Sequence, residues 1–311
     1  MVYCDGNSFS GNRDQPQPVL GLDNTTVPIY YRGRRNVDAV LATLVKEYNF
    51  GKAKNVLLTG CSAGGLATYL HTDYIHARVK ELVGSSLSAF KSAPLSGFFL
   101  NHPNVVDDEV YTTMIKHLFE ISNASYGVND NCIAATATAD QWQCNFAEAA
   151  YAYVDAPIFA LNSALDAWQT DCIYTATLDP GFPLSRHDNL EHAHCGSVPG
   201  WKECAKELGK CNSTQMVAMD QYMTDFKTKM SKAKTFTADG NGAFIYSCHK
   251  HCAEQSSSFT AIKINGVSMQ EAVSAWWRGS VTEPAASHVH LDCQDSTSSP
   301  GKQCNPTCPA D

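Results

Sequence analysis

The segment NVLLTGCSAGGLATYL, residues 55–70, joins an apolar run to a small-residue turn and then to a second apolar stretch. A short apolar run bounded by glycine, Asn55 to Thr59, suits a fully buried strand. The continuation from Gly64 predicts a helix to about Ala77. A strand that turns directly into a helix belongs to a parallel α/β sheet. Within the turn, Gly60-Cys61-Ser62-Ala63-Gly64 has the Gly-x-Ser-x-Gly form of a nucleophile elbow, followed by an extra Gly65. There the serine sits strained at the apex, and Gly60 and Gly64 spare the neighbouring strand and helix a collision. Taken alone, the five residues are weak evidence against a glycine bend with an incidental serine; the strand before them and the helix after favour the elbow.

The surrounding pattern extends the α/β reading. From Arg32 to Tyr48, Val37, Val40, Leu41, Leu44, Val45 and Tyr48 fall at helical spacing, and Gly51 is placed to close that helix. Ala156 to Ala164, introduced by Pro157, and Gly242 to Cys248 read as further buried strands. Met216 to Met230 carries a helical period. Residues 179–200, rich in Gly, Pro and His, read as a long loop stapled through Cys195, and 293–311 as a Cys-containing tail. No repeat or linker divides the chain, so one domain over 1–311 is expected.

A serine is a weak nucleophile near neutral pH and needs a histidine base, itself oriented by a carboxylate. In this architecture the partners follow in the order Ser, acid, His, each at the carboxyl end of a later strand. Asp166 directly follows the strand in "PIFALNSALD", and His251 follows the strand in "GAFIYSCHKH". Plain structural readings stand beside these: Asp166 capping a helix, and His251 neighbouring a disulfide loop. His249 is a rival that the residues do not separate from His251. The clusters His192, His194, Cys195 and His288, His290 raise a metal site, but their spacing matches no standard zinc pattern. They read as loop residues. Ester hydrolysis by such a triad needs no metal or cofactor.

Thirteen cysteines point to an oxidising compartment, and the pairs Cys132/Cys144, Cys204/Cys211, Cys248/Cys252 and Cys304/Cys308 look like local staples. An odd count leaves at least one thiol over. Sequons at Asn24, Asn123 and Asn212 fit the same compartment. The net charge of −8 argues against non-specific binding to nucleic acid or anionic membrane, and no run of about 18 apolar residues supports a membrane span. The chain opens on "MVYCDGNSFSG", with no signal segment, and Val2-Tyr3-Cys4 reads as the tail of a buried strand, so a cut N-terminus is expected.

The blocks "YCDGNSFSG", "YRGRRNVDAVLATL", "NVLLTGCSAGGLATYLHTDYI", "PIFALNSALDAWQ" and "SCHKHCAEQ" resemble, in order, those of the pectin acetylesterase/Notum family of carboxylesterases. The likeness runs from Tyr3 to about Cys308 and is nearer the pectin acetylesterase branch at Asp166-Ala167-Trp168-Gln169 and His251-Cys252. It implies a secreted, disulfide-rich α/β-hydrolase fold with Ser62 as nucleophile, Asp166 as acid and His251, not His249, as base. It implies hydrolysis of O-acetyl esters on a pectin-like cell-wall polysaccharide, with the N–H of Ala63 in the oxyanion hole. Members carry a Gly-Gly-Gly-x-Trp-Cys block upstream of "YCDG" that supplies further oxyanion donors. This chain starts after it, so missing early strands and impaired turnover are expected. Two other functions remain open: removal of another acyl group, as from a protein, and a non-catalytic secreted binding role. Loops between Pro94 and Asn131 would separate the first two by pocket depth.

Overall fold

The computed structural model describes residues 5–20, 25–178, 193–293 and 304–309. A small antiparallel hairpin, β1 (Gln17–Leu20) and β2 (Thr26–Ile29), precedes helix α1 (Gly33–Tyr48). Strand β3 (Asn55–Cys61) then enters α2 (Ala63–Val83) through Ser62, and β4 (Ala89–Leu95) follows. Helix α3 (Val110–Ser122), β5 (Phe159–Ser163), α4 (Ser213–Ser231), β6 (Gly242–Tyr246), α5 (Met269–Arg278) and β7 (Val289–Leu291) complete the frame. Five strands form one parallel sheet in the order β7-β6-β5-β4-β3. Because all run the same way, their carboxyl ends lie along one edge, and the segments after Cys61, Leu95, Ser163 and Tyr246 meet there.

Alternation along the central strands fills both faces. Ala160, Ala243 and Ile245 pack with Tyr69 and Leu70 of α2, Ile115 of α3 and Phe226 of α4. Their neighbours Phe159, Leu161, Phe244 and Tyr246 turn the other way, onto Ala272 and Trp276 of α5. Val37 and Leu41 of α1 pack with Val79 of α2 and Phe90 of β4. This is an α/β-hydrolase-like layering of a sheet between helices.

Strand β4 lies inside the sheet although Lys91, Ser92 and Pro94 break its apolar run, which is why its sequence gives no strand signal. Lys91 is buried, and its Nζ donates to the carbonyls of Trp276, Trp277 and Gly279 at 2.7, 3.3 and 3.0 Å. A cation there satisfies the orphan carbonyls at the end of α5 and meets the negative end of its dipole.

Several expectations change. Strand β3 is not fully buried: its residues alternate in exposure, with Leu57 45% exposed, because β3 is an edge of the sheet among the described residues. Asn49, with φ 56°, ends α1 rather than Gly51. Helix α2 continues past Ala77 to Val83. Cys132–Cys144 and Cys204–Cys211 pair locally, but Cys248 pairs with Cys308 and Cys293 with Cys304. Cys252 pairs with Cys61, 191 residues away, because the sheet brings the ends of β3 and β6 to the same edge. Cys172 holds Cys195, and Cys4, Asn24 and most of 179–200 lie outside the described residues. Described residues of the tail are tied down by Cys293, Cys304 and Cys308.

The steric demand for glycine also shifts. A Cβ on Gly60 would stand 2.5 Å from the carbonyl oxygen of Gly64, as the elbow requires. A Cβ on Gly64 itself would meet nothing within 4 Å. The crowded contact is one residue on, where Gly65 abuts the Leu95 carbonyl and the backbone of Gly97. Gly65→Ala is therefore expected to destabilise the fold by about 1–3 kcal/mol, the usual penalty of overpacking, while Gly64→Ala leaves stability unchanged or slightly raised. Denaturant unfolding of both variants measures the difference, and equal losses would contradict it.

Candidate active site

Ser62 follows the last residue of β3 with φ 60° and ψ −124°, a conformation that a non-glycine residue holds only when its surroundings impose it. Two backbone bonds impose it here. Its N–H donates to Leu95 O at 3.0 Å, and its carbonyl accepts from Leu66 N at 2.9 Å. The side chain makes no capping bond to α2. Ala63 is the first residue of that helix, so its N–H has no partner within it and sits at the positive end of the helix dipole.

Asp166 lies three residues past β5, completely buried. Its side chain caps the short helix Ala167–Gln169, Oδ1 accepting from Trp168 N at 3.0 Å and Gln169 N at 3.1 Å. The same carboxylate meets His251, whose Nδ1 stands 2.8 Å from Oδ2 and 3.0 Å from Oδ1. Cap and partner are thus one group, and the helix N–H bonds fix the plane in which it faces the imidazole. His249 turns elsewhere, its Nε2 2.9 Å from Thr170 Oγ1. Burial works against protonation of His251, but the hydrogen bond and charge of Asp166, with the charge of Glu254, outweigh it and raise its pKa above the ordinary histidine value.

The disulfide Cys61–Cys252 joins the residue before Ser62 to the residue after His251. Ser62, Ala63 and Gly64 form one wall of a cavity of about 410 Å³. Phe99, Tyr111, Ile115, Leu118 and Trp168 give it an apolar side, four of them drawn from the segment between Pro94 and Asn131. The rings of Phe99 and Trp168 lie 6.4 and 6.3 Å from that of His251, so the histidine borders this apolar side.

Gly6, Asn7 and Ser8 supply the remaining wall, a contribution that the sequence motif alone does not disclose. Buried Asp5 organises this loop: Oδ1 accepts from Asn7 N and Phe9 N, and Oδ2 from Gly11 N, at 3.2, 2.9 and 3.3 Å. An Asp followed by Gly and Ser is the local signal for such a side-chain-closed turn. From beneath, His71 Nε2 donates to Ser8 O at 2.8 Å, while Nδ1 accepts from Arg34 Nη1 at 3.0 Å. Burial, with the nearby Arg34 charge, lowers the His71 pKa to about 3, so the ring is neutral.

Described members of the two histidine clusters have other partners. Cys195 is spent in its disulfide with Cys172, and His288 Nε2 pairs with Glu283 Oε2 at 2.7 Å. His290 lies beside Phe244, and His192 is outside the described residues.

A serine at a strained strand-to-helix turn, on the sheet edge that also carries an Asp–His pair, defines a protein of the α/β-hydrolase class. Comparison of folds agrees: the Wnt deacylase Notum from Drosophila superposes with a TM-score of 0.68 at 17% identity, over 99% of this chain and 73% of that one. The pectinacetylesterase family model matches residues 1–309, and the chain belongs to that family. Pectin acetylesterases 5 and 7 of Arabidopsis thaliana are 26% and 25% identical, over 88% and 99% of this chain. Palmitoleoyl-protein carboxylesterase notum2 of Xenopus laevis is 21% identical over the whole chain. The chain spans 58%, 68% and 56% of the length of these three relatives.

Two outcomes follow from this geometry. Closing so long a loop, Cys61–Cys252 is expected to stabilise the fold by about 2–5 kcal/mol. Cys61→Ser with Cys252→Ser should also slow labelling of Ser62 by a fluorophosphonate at least about tenfold at temperatures where the variant is folded. Removing Cys132–Cys144, remote from Ser62 in sequence, should leave that rate alone; equal labelling in both variants would refute the assignment. The second outcome concerns acid stability. Above pH 6.5 His71 is neutral folded or unfolded, but below it the unfolded chain binds a proton that the folded ring refuses until about pH 3. Stability therefore falls as pH drops through this window, and His71→Gln should flatten the fall between pH 6.5 and 4.5 in calorimetric Tm. An unchanged slope would show that His71 plays no part.

Proposed function

We propose that the chain is a secreted serine esterase that hydrolyses O-acetyl esters on a pectin-like polysaccharide. The observation that carries this reading is the 2.8 Å contact between His251 Nδ1 and buried Asp166 Oδ2, at the same sheet edge as Ser62 and joined to it through Cys61–Cys252. Family membership and the pectin acetylesterase relatives support the acyl group and the substrate class. Among the described residues, six disulfides and exposed sequons at Asn123 and Asn212 support the compartment, and no helix is long and apolar enough to cross a membrane.

In this mechanism Asp166 keeps the His251 proton on Nδ1, leaving Nε2 to take the proton of Ser62 as its Oγ attacks the acetyl carbonyl. The N–H of Ala63, at the dipole-positive end of α2, faces the oxygen on which charge develops. His251 then hands the proton to the departing sugar oxygen, which leaves as a hydroxyl. The same imidazole next takes a proton from water as that water attacks the acetyl-enzyme, and returns it to Ser62 Oγ as acetate leaves. The charged imidazolium in each step is stabilised by Asp166, the group that raises its pKa. The apolar side of the cavity excludes water from the ester and offers Trp168 and Phe99 to the acetyl methyl or a sugar face.

One observation favours a second reading. A cavity of about 410 Å³ with an aromatic and aliphatic side is roomier than one acetyl methyl requires, and it would also admit a longer acyl chain. Aryl esters of increasing chain length separate the two: the acetylesterase reading expects kcat/KM to be highest for acetate and acetate to be released from acetylated pectin. A maximum at eight carbons or beyond, with no acetate from pectin, would replace it by the second. Ser62→Ala is expected to lower turnover at least about a thousandfold with the fold intact, and an unchanged rate would remove Ser62 from the chemistry.

A further inference from the structure

Behind the Asp166–His251 pair lies a carboxyl group that the ester chemistry does not use. Glu254 is 8% exposed and belongs to the short turn Ala253–Gln255, three residues past His251. Its Oε1 accepts from Tyr246 Oη at 3.1 Å and its Oε2 from Ser96 Oγ at 3.3 Å. Ser96 Oγ in turn accepts the N–H of Cys252 at 3.1 Å, and Ser96 N donates to Leu161 O at 2.8 Å. Ser96 holds φ 45° directly after Leu95, whose carbonyl receives the Ser62 N–H. One buried carboxyl group thus ties the end of β6, through Tyr246, to the turn after β4 and to the loop that bears His251. The same turn after β4 touches β5 through Leu161 and lies beside the residue that holds Ser62.

We propose that Glu254 is a positioning residue of the esterase site: it fixes the His251–Cys252 turn through Ser96 and Tyr246, and its ionisation adjusts the basicity of His251. This rests on the reading of Ser62, Asp166 and His251 as the reacting set. The titratable groups that face Glu254 are Tyr246 of β6, Asp166 of the turn after β5 and His251 of its own loop; Ser96, from the β4 end, does not titrate. Burial pushes the Glu254 pKa up to about 7; its own backbone N–H, Tyr246 and Ser96 oppose that rise, and the Asp166 charge adds to it. Tyr246 is driven well above its ordinary value, first by burial and then by the charges of Glu254 and Asp166, and stays a proton donor throughout. Glu254 therefore gains and loses its charge in the range where an imidazole titrates. When it is ionised, its charge favours the protonated form of His251; when it is protonated, that support is withdrawn and the His251 pKa falls.

The sign is testable. Glu254→Gln retains the size and the acceptor for Tyr246 but never carries charge. Its acid limb of kcat/KM should move to lower pH by about half a unit to one unit, with plateau kcat within about tenfold of wild type. Glu254→Ala, which also removes the acceptors, should lower kcat about ten- to a hundredfold with little change in KM, and Gln should restore most of that loss. Should the variants fail to fold, the wild-type full chain serves: the His251 ring resonance followed by NMR should titrate in two steps, one of them near pH 7. An acid limb unmoved in Glu254→Gln, or a single-step His251 titration in the wild type, would overturn the proposal. Retention of activity by Ser62→Ala would instead fault the esterase reading on which it rests.

Discussion

The covalent bridge between Cys61 and Cys252 sets the distance on which the rest of the site depends. A serine elbow and a histidine loop come from strands separated by two others in the sheet, and each is held in an unfavourable backbone conformation: Ser62 at φ 60° and Cys252 at φ 54°. Neither conformation persists without its surroundings. The bridge links these two residues' segments directly, while Ser62 N–H to Leu95 O, and Cys252 N–H to Ser96 Oγ, tie both to consecutive residues at the end of β4. The turn after β4, itself strained at Ser96, is thus the common anchor of Ser62 and of the loop that bears His251. The close approach of Gly65 and Gly97 presses α2 against that same turn, so backbone packing and the disulfide act on one spot.

How much of this can be read from the chain depends on whether the signal is local. Asp166 and His251 are legible because parallel strands end on one edge, and each residue closely follows an apolar run. The plain reading of Asp166 as a helix cap is also true, since one carboxylate has lone pairs enough for two N–H groups and an imidazole. The residues alone leave His251 and His249 level and only the family resemblance separates them; in the structure His251 faces Asp166 while His249 turns to Thr170. Cysteine pairing fails where sequence nearness misleads. Cys248 and Cys252 are four residues apart, yet one pairs with the tail and the other with the elbow. Strand β4 is hidden because a lysine inside an apolar run ordinarily marks a surface, whereas the Lys91 ammonium is spent on the end of α5.

The cavity joins an apolar side to a set of buried polar groups, and the two have the same physical origin. Removing water strengthens every electrostatic contact to a developing charge but makes any unpaired polar atom expensive. The chain meets that demand chiefly with fixed backbone donors rather than with cations. Asp5 takes N–H groups of its own loop, Asp166 those of a helix start, and Glu254 that of its own residue besides two hydroxyls. His71 avoids the penalty by staying neutral.

That choice shapes the electrostatics around the imidazole. Asp166 is held by two backbone N–H groups and His251, so its orientation is set before any substrate arrives, as preorganised catalysis requires. Glu254 is less fully compensated, because burial outweighs its three donors, and it keeps a proton into the neutral range. Two carboxyl groups of unequal environment therefore back one histidine, the nearer fixed in its hydrogen bonds and the farther free to change its charge. On the proposed mechanism such a pair makes His251 a stronger base where Glu254 is ionised and a weaker one in acid, coupling proton uptake at the buried turn to the reactivity of Ser62 across the bridge.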